Sequence, residues 1–518
     1  MAISPGQPLV LHQGSIRSGN LDDRFPDTSA LSTRIGMNVL VVLRLVGFIA
    51  ATLGLSLLLP ALVGFGYGES DWRVFVVLAV ALCALAAILL WVSRRAADIQ
   101  ERDGFLVVAA AWGFAGLVGA LPYQLTGTTA FFTDAVFESV SGFTTTGASI
   151  FVRFEGISHG IFLWRSLTHW FGGMGIIMLM LVILPALGVG GLQLYKREVP
   201  GPTTEKLTPR LRDTAKALWS IYVLLTGLET GLLYLAGMPL FDAVNNSMAT
   251  LSTGGFSPNG NSIGGYGSLM IDWIVIAFMF LGGTSFALHY QFLRHGAGLA
   301  AYWWDTEWRW FTITLLIASL GISAHLYLVS GYGLVQALTQ GTFQLVSILT
   351  CTGFGTDDYT QWGAAPQILL LLAMLAGGCV GSTSGGIKWL RITVIFKSIP
   401  IELLRLRHHR MVRPIKFRDA IVTPDLHHSI VAFTLLYLFT FAVFSLLLTA
   451  DGNSIPTALG AVASAMANVG PGFDAVGPAS NYFEMHALSK WALIFLMVAG
   501  RLELVTLYVL FMPSFWRF

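Results

Sequence analysis

Along this chain long apolar runs alternate with short amphipathic ones, and each short run closes on a turn rich in glycine and hydroxyl side chains. Predominantly apolar runs of about 18 residues or more, enough to cross a bilayer as a helix, recur at residues 74–92, 105–121, 271–288 and 492–512. The stretch SVSGFTTTGASIF, residues 139–151, lies between two apolar runs and is too polar to span. Similar turns follow: LSTGGFS around Leu251, LTCTGFGT around Thr350 and ANVGPGF around Asn468. Their glycines Gly147, Gly254, Gly353 and Gly470 are roughly 107, 99 and 117 residues apart, a period that holds two spans and a loop.

This pattern predicts an all-α polytopic membrane protein built from four units, each a helix, a short pore half-helix, a turn and a second helix. The four are expected in a pseudo-fourfold arrangement around one pore. The short segments are residues 131–141, 241–251, 335–349 and 455–467, and the long stretches behind them are 159–190, 271–292, 368–396 and 491–511. A polar tail (1–36) and a two-helix hairpin (37–96) precede units at 97–195, 196–298, 299–400 and 401–518. About ten full spans and four half-spans are expected.

Composition narrows the class further. With 55% hydrophobic and 11% charged residues, a soluble protein is excluded. Cys83, Cys351 and Cys379 are scattered singly, so neither a disulfide framework nor a zinc site is indicated. The apolar run after the tail is too long for a signal-peptide core, so the N-terminus reads as a retained cytoplasmic tail, and Arg44 as a snorkelling residue.

Charge sets the expected orientation. The connection 196–216 is basic, and 388–418 carries Lys388, Arg391, Lys397, Arg405, Arg407, Arg410, Arg413, Lys416 and Arg418 against Glu402, so both are expected in the cytoplasm. The connections around the turns hold Asp134, Glu138, Glu155, Asp242, Asp357, Asp358 and Asp474, which predicts an acidic outer mouth that concentrates cations.

Backbone carbonyls from converging turns can replace the hydration shell of an alkali cation without placing full charges in the membrane. Glycine permits the backbone angles this requires. Residues 377–386, GGCVGSTSGG, place five glycines inside an apolar stretch, where each costs roughly 1 kcal/mol relative to alanine in a helix. A break is expected there. Ser382 or Ser384 with His289 or His169 also permits an intramembrane serine protease as a remote alternative. No chain of acids suited to a proton relay stands out, although Glu503 lies within a span. The glycine strings lack the strand-to-helix context of a dinucleotide site, and no organic cofactor or nucleic-acid partner is expected.

The motifs LWRSLTHWFGGMGII, EKLTPRLRDTAKALW, GGTSFALHYQ, GGCVGSTSGGIKWLR and AGRLELVTLYVLF, together with the four turns, resemble the TrkH/KtrB family of the superfamily of K+ transporters. The N-terminal hairpin makes the likeness stronger to the bacterial TrkH branch. The resemblance implies K+ as transported ion and a selectivity filter of Thr145, Thr146, Gly147, Ser252, Thr253, Gly254, Cys351, Thr352, Gly353, Asn468, Val469 and Gly470. It implies a gate of Gly377, Gly378, Cys379, Gly381, Ser382, Thr383, Ser384, Gly385 and Gly386, with Arg501 set against it. It also implies a homodimer in the bacterial cytoplasmic membrane, in contact with lipid, and a TrkA-like cytoplasmic regulatory subunit that binds NAD(H) or adenine nucleotides. Na+- or H+-coupled K+ symport stays open as an alternative to passive flow. Lys388 and Arg391 are expected to anchor a helix at the cytoplasmic surface, and Arg165 and His169 to support the first turn from behind.

Overall fold

The computed structural model describes residues 39–95, 101–178, 207–294, 298–408, 411, 413–417 and 420–516. The tail 1–36 and most of the basic connection 196–216 lie outside the described residues. Among the described residues the regular elements are helices apart from one short antiparallel pair, β1 (Lys416–Phe417) and β2 (Ala420–Ile421).

Helices α1 (Val39–Ser56) and α2 (Leu58–Gly66) run on as one 28-residue apolar segment and turn back into α3 (Trp72–Val92). Only 28% of the most apolar window of α3 is buried inside the protein, and Val77, Val80 and Ile88 point outward. An apolar exterior of this kind is what a bilayer covers. The hairpin is fastened to the body at its turn. There Glu69 Oε1 accepts the His159 backbone N–H at 2.9 Å and lies 2.7 Å from its ring Nδ1.

The chain continues through α4 (Glu101–Gly119), α5 (Leu121–Leu125), α6 (Phe132–Phe143) and α7 (His159–Met178). Next come α8 (Leu207–Leu235), α9 (Leu240–Leu251), α10 (Leu269–Gly283) and α11 (Phe286–Arg294). They are followed by α12 (Ala300–Trp303), α13 (Thr306–Leu328), α14 (Leu334–Leu349), α15 (Ala364–Ala376) and α16 (Trp389–Arg407). The last group is α17 (Pro424–Ala450), α18 (Ile455–Ala467), α19 (Ala487–Arg501), α20 (Leu504–Val509) and α21 (Pro513–Trp516).

Four of these helices, α6, α9, α14 and α18, have 12, 12, 16 and 13 residues. At about 1.5 Å per residue none reaches across a hydrocarbon core of about 30 Å. They lie in the interior instead: every residue of α6 from Asp134 to Phe143 is buried. In α18, Ser454 accepts the Thr457 N–H as an N-cap and a proline occupies the first turn, so sequence alone defines its start.

Among the described residues six helices are long and apolar enough to cross a membrane, or seven if a bent pair is one span, against the ten expected. The shortfall lies in the second long stretches. Residues 271–292 bend by 98° between α10 and α11. Residues 368–396 are interrupted between Ala376 and Trp389, and 491–511 break at Glu503, which adopts a left-handed φ of 57°. The stretch 159–190 is described only to Met178.

Candidate functional site

Each short helix ends in the same backbone path. The N–H groups of Thr146, Gly254, Thr352 and Val469 donate five residues back, to the carbonyls of Ser141, Ala249, Ser347 and Ser464, at 2.8, 2.8, 2.8 and 2.9 Å. This is the closure of a Schellman-type helix end, which needs a left-handed residue. That residue is Thr145, Thr253, Cys351 or Asn468, with φ of 53°, 52°, 57° and 56°. A left-handed threonine is uncommon, and such conformations concentrate at functional sites. Two residues further on stands a glycine with positive φ: Gly147, Gly255, Gly353 or Gly470.

The second turn is therefore shifted by one residue from the register expected. Gly255, not Gly254, occupies the position of Gly147, and Ser252 is the residue that caps α9. Two consecutive glycines in LSTGGF make the two alignments equivalent in sequence. The backbone separates them, because Gly254 has the place of Thr146 and abuts the His169 ring, which a Cβ would overlap.

The four turns touch one another in a closed cycle. A Cβ on Gly147 would overlap the Gly254 carbonyl oxygen, one on Gly255 that of Thr352, and one on Gly353 that of Val469. A Cβ on Gly470 would stand 2.7 Å from the Thr146 oxygen, closing the ring. Side chains hold this backbone from behind. Ser464 Oγ donates to the Gly470 carbonyl at 2.7 Å, the Tyr482 hydroxyl donates to the same oxygen at 2.8 Å, and Asn468 Nδ2 donates to Thr146 Oγ1 at 3.0 Å.

On one side of the ring a cavity of about 690 Å³ is lined by Gly147, Gly255, Gly353 and Gly470 and by the connecting loops. Its wall carries Glu155 together with Arg153 and Arg165, so it is not the acidic mouth expected. Asp134 and Glu138 are buried within α6 rather than solvated. Asp134 Oδ1 lies 2.7 Å from Lys490 Nζ, and Glu138 Oε1 lies 2.7 Å from Arg165 Nη2. Because α6 is enclosed on all sides, its acids need internal partners. His169 stacks on Phe256 at 4.1 Å and stands against the second turn, not the first.

On the other side of the ring lies the segment between α15 and α16. Gly377 leaves α15 with a φ of 71°, and the Gly378 N–H donates to Ser384 Oγ at 2.8 Å. The Cys379 N–H donates to the Gly283 carbonyl at 3.0 Å, and the Gly381 carbonyl accepts the Phe286 N–H at 3.0 Å. The segment thus docks into the bend between α10 and α11. Ser382 Oγ donates to the Cys379 carbonyl at 2.6 Å, and Thr383 Oγ1 to that of Leu251 at 3.0 Å. Gly385 abuts the Ala467 carbonyl at the end of α18, and Gly386, with a φ of 76°, packs on Gly377. Arg501 Nη1 donates to the Thr383 carbonyl at 2.6 Å and Nη2 to that of Gly172 at 3.0 Å.

Around Ser384–Gly386, Lys388, Arg501 and Glu503 the open space is only about 10 Å³, room for about one water. Lys388 and Arg391 are buried here and not at the surface. Lys388 Nζ donates to the Ser384 carbonyl, and Arg391 pairs with Glu503 across the break between α19 and α20. Sequence reasoning passed over Glu307, whose Oε1 accepts the Val380 and Leu390 N–H groups at 2.7 and 3.0 Å. An acid opening the apolar run at 311–328 was the available signal. His289 is engaged by the Tyr302 hydroxyl at 2.8 Å and the Leu281 carbonyl at 3.0 Å.

An apolar exterior, several membrane-length helices and short buried helices whose end turns meet in a cycle describe a multi-span membrane protein. The chain belongs to the TrkH family, described as cation transport proteins, whose model matches residues 73–517. It is 39% identical over 485 residues to the Trk system potassium uptake protein TrkH of Salmonella typhimurium, covering 93% of this chain and all of that one. It is 36% identical over 481 residues to the Trk system potassium uptake protein TrkI of Halomonas elongata, covering 92% and 96%. The crystal structure of the potassium transporter TrkH from Vibrio parahaemolyticus superposes with a TM-score of 0.85 at 35% identity, covering 93% of this chain and all of that one.

Proposed function

We propose that this chain carries K+ inward across the bacterial cytoplasmic membrane through one pore, with four helix, half-helix, helix units around it. The units lie at residues 97–195, 196–298, 299–400 and 401–518. The observation that carries this reading is the closed cycle of turns, in which the carbonyls of Thr146, Gly254, Thr352 and Val469 abut the glycine of a neighbouring turn. A dehydrated K+ ion exchanges its water for such oxygens. The carbonyl ends of α6, α9, α14 and α18 add the negative poles of their helix dipoles. Filter residues are Thr145–Gly147, Thr253–Gly255, Cys351–Gly353 and Asn468–Gly470. Asn468 acts by bracing Thr146.

The segment 377–386 is the gate. It blocks the path where the space narrows, and Arg501 holds it by the Thr383 carbonyl while placing a positive charge in the way of a cation. Opening withdraws the segment. A nucleotide-binding cytoplasmic subunit regulates this step, docking on the basic connections of a homodimer whose N-termini lie in the cytoplasm, and flow is passive.

The test is Rb+ uptake into proteoliposomes of the purified chain. Uptake should follow the K+ electrochemical gradient, ignore Na+ and pH gradients, and rise several-fold in Arg501→Ala. Uptake that requires a Na+ or proton gradient contradicts passive flow, and uptake unchanged in Arg501→Ala contradicts the gate.

A further inference from the structure

Glu307 lies in the first turn of α13, set there by Asp305, which accepts the Trp308 N–H at 2.8 Å as the N-cap. The residue is 4% exposed, and a single carboxyl oxygen, Oε1, accepts two backbone amides. One belongs to Val380, at the start of the interruption between α15 and α16. The other belongs to Leu390, in the first turn of α16, where helix N–H groups lack helical partners and carry partial positive charge. One side chain from a different element therefore grips both shoulders of the segment. Other backbone bonds also dock it: the Cys379 N–H donates to the Gly283 carbonyl, the Thr383 N–H to the Gly282 carbonyl and the Phe286 N–H to the Gly381 carbonyl.

We infer that Glu307 is the positioning residue of this segment: it fixes the closed arrangement by holding the Val380 and Leu390 amides, and the segment moves only when α13 releases them. Arg501 holds the Thr383 carbonyl and Glu307 holds the amides, so two side chains pin the carbonyl and the amide sides of the same backbone. The effect on transport rests on the gate reading above. The effect on the segment's position does not.

Cys379 supplies a direct reporter, because it lies in the segment and is buried, as is Cys351 in the third turn. The full chain in proteoliposomes is treated with a membrane-permeant maleimide and the labelling rate of each cysteine is read by mass spectrometry, alongside Rb+ uptake. In Glu307→Ala, Cys379 should label at least tenfold faster while Cys351 stays protected and the ratio of K+ to Na+ uptake is unchanged. Glu307→Gln, which keeps an acceptor oxygen but no charge, should fall between wild type and alanine. Cys379 labelling at the wild-type rate in both variants, or equal exposure of Cys351 and Cys379, overturns the inference. Faster labelling of Cys379 with unchanged uptake upholds the positioning role and counts against the gate. Unchanged labelling beside raised uptake in Arg501→Ala leaves the gate standing and removes Glu307 from it.

Discussion

Gly254 and Gly255 are both glycine, for different reasons. Gly254 meets the His169 ring at its missing side chain, whereas Gly255 has a φ of 81° and meets the Thr352 carbonyl. Gly254→Ala should lower uptake about tenfold or more and regain part of it when combined with His169→Ala, because the smaller side chain makes room. Gly255→Ala should not be rescued, since its strain is in the backbone. Equal rescue of the two would place them in the wrong register. This distinction was hidden in the sequence, where side-chain identity alone cannot say which glycine turns left-handed. Asp474 makes a pH-dependent contribution on the connecting loop. Ser454 Oγ donates to it at 2.5 Å and Thr457 Oγ1 at 2.9 Å, which holds its carboxyl below the usual carboxylate range. A depressed folded-state value stabilises above the unfolded pKa of about 3.9 and is lost as pH falls through the folded value. The difference in melting temperature between wild type and Asp474→Asn should therefore shrink as the pH falls from neutral into the acid range below the unfolded value. A constant difference would remove the linkage.

At the level of elements, α6 is clamped by ion pairs to two neighbours, through Arg165 on α7 and Lys490 on α19. Breaking a buried pair on one side strands the other charge, at a cost of about 3–5 kcal/mol, while replacing both partners by apolar groups removes most of that cost. Lys490→Met should accordingly lower the melting temperature in detergent sharply, and Lys490→Met with Asp134→Leu should restore most of it. A double variant as unstable as the single one would contradict the pairing. The short helices themselves were legible, because an amphipathic run too short to span and ended by glycine has few other outcomes. The acids of α6 were misread, since a carboxylate beside a turn looks the same in sequence whether it faces solvent or a buried lysine 356 residues away. The break at 377–386 was legible from its glycines. The 98° bend between α10 and α11 was not, because an apolar run has the same composition bent or straight.

For the whole molecule, the repeat spacing indicated four equivalent turns, but not the order in which they touch. That order follows the chain: each glycine meets the carbonyl of the next turn, and Gly470 returns to Thr146. Closure is a long-range property that no local pattern encodes. It makes the turns interdependent, so a side chain at one glycine displaces the oxygen of its neighbour. The direct measurement is uptake of K+, Rb+ and Na+ into proteoliposomes by wild type and Gly147→Ser, at matched protein content. In Gly147→Ser the added side chain meets the Gly254 carbonyl, and K+ uptake should fall several-fold while Na+ uptake is retained or raised. K+ uptake and K+/Na+ discrimination equal to wild type would contradict a filter formed by these four turns.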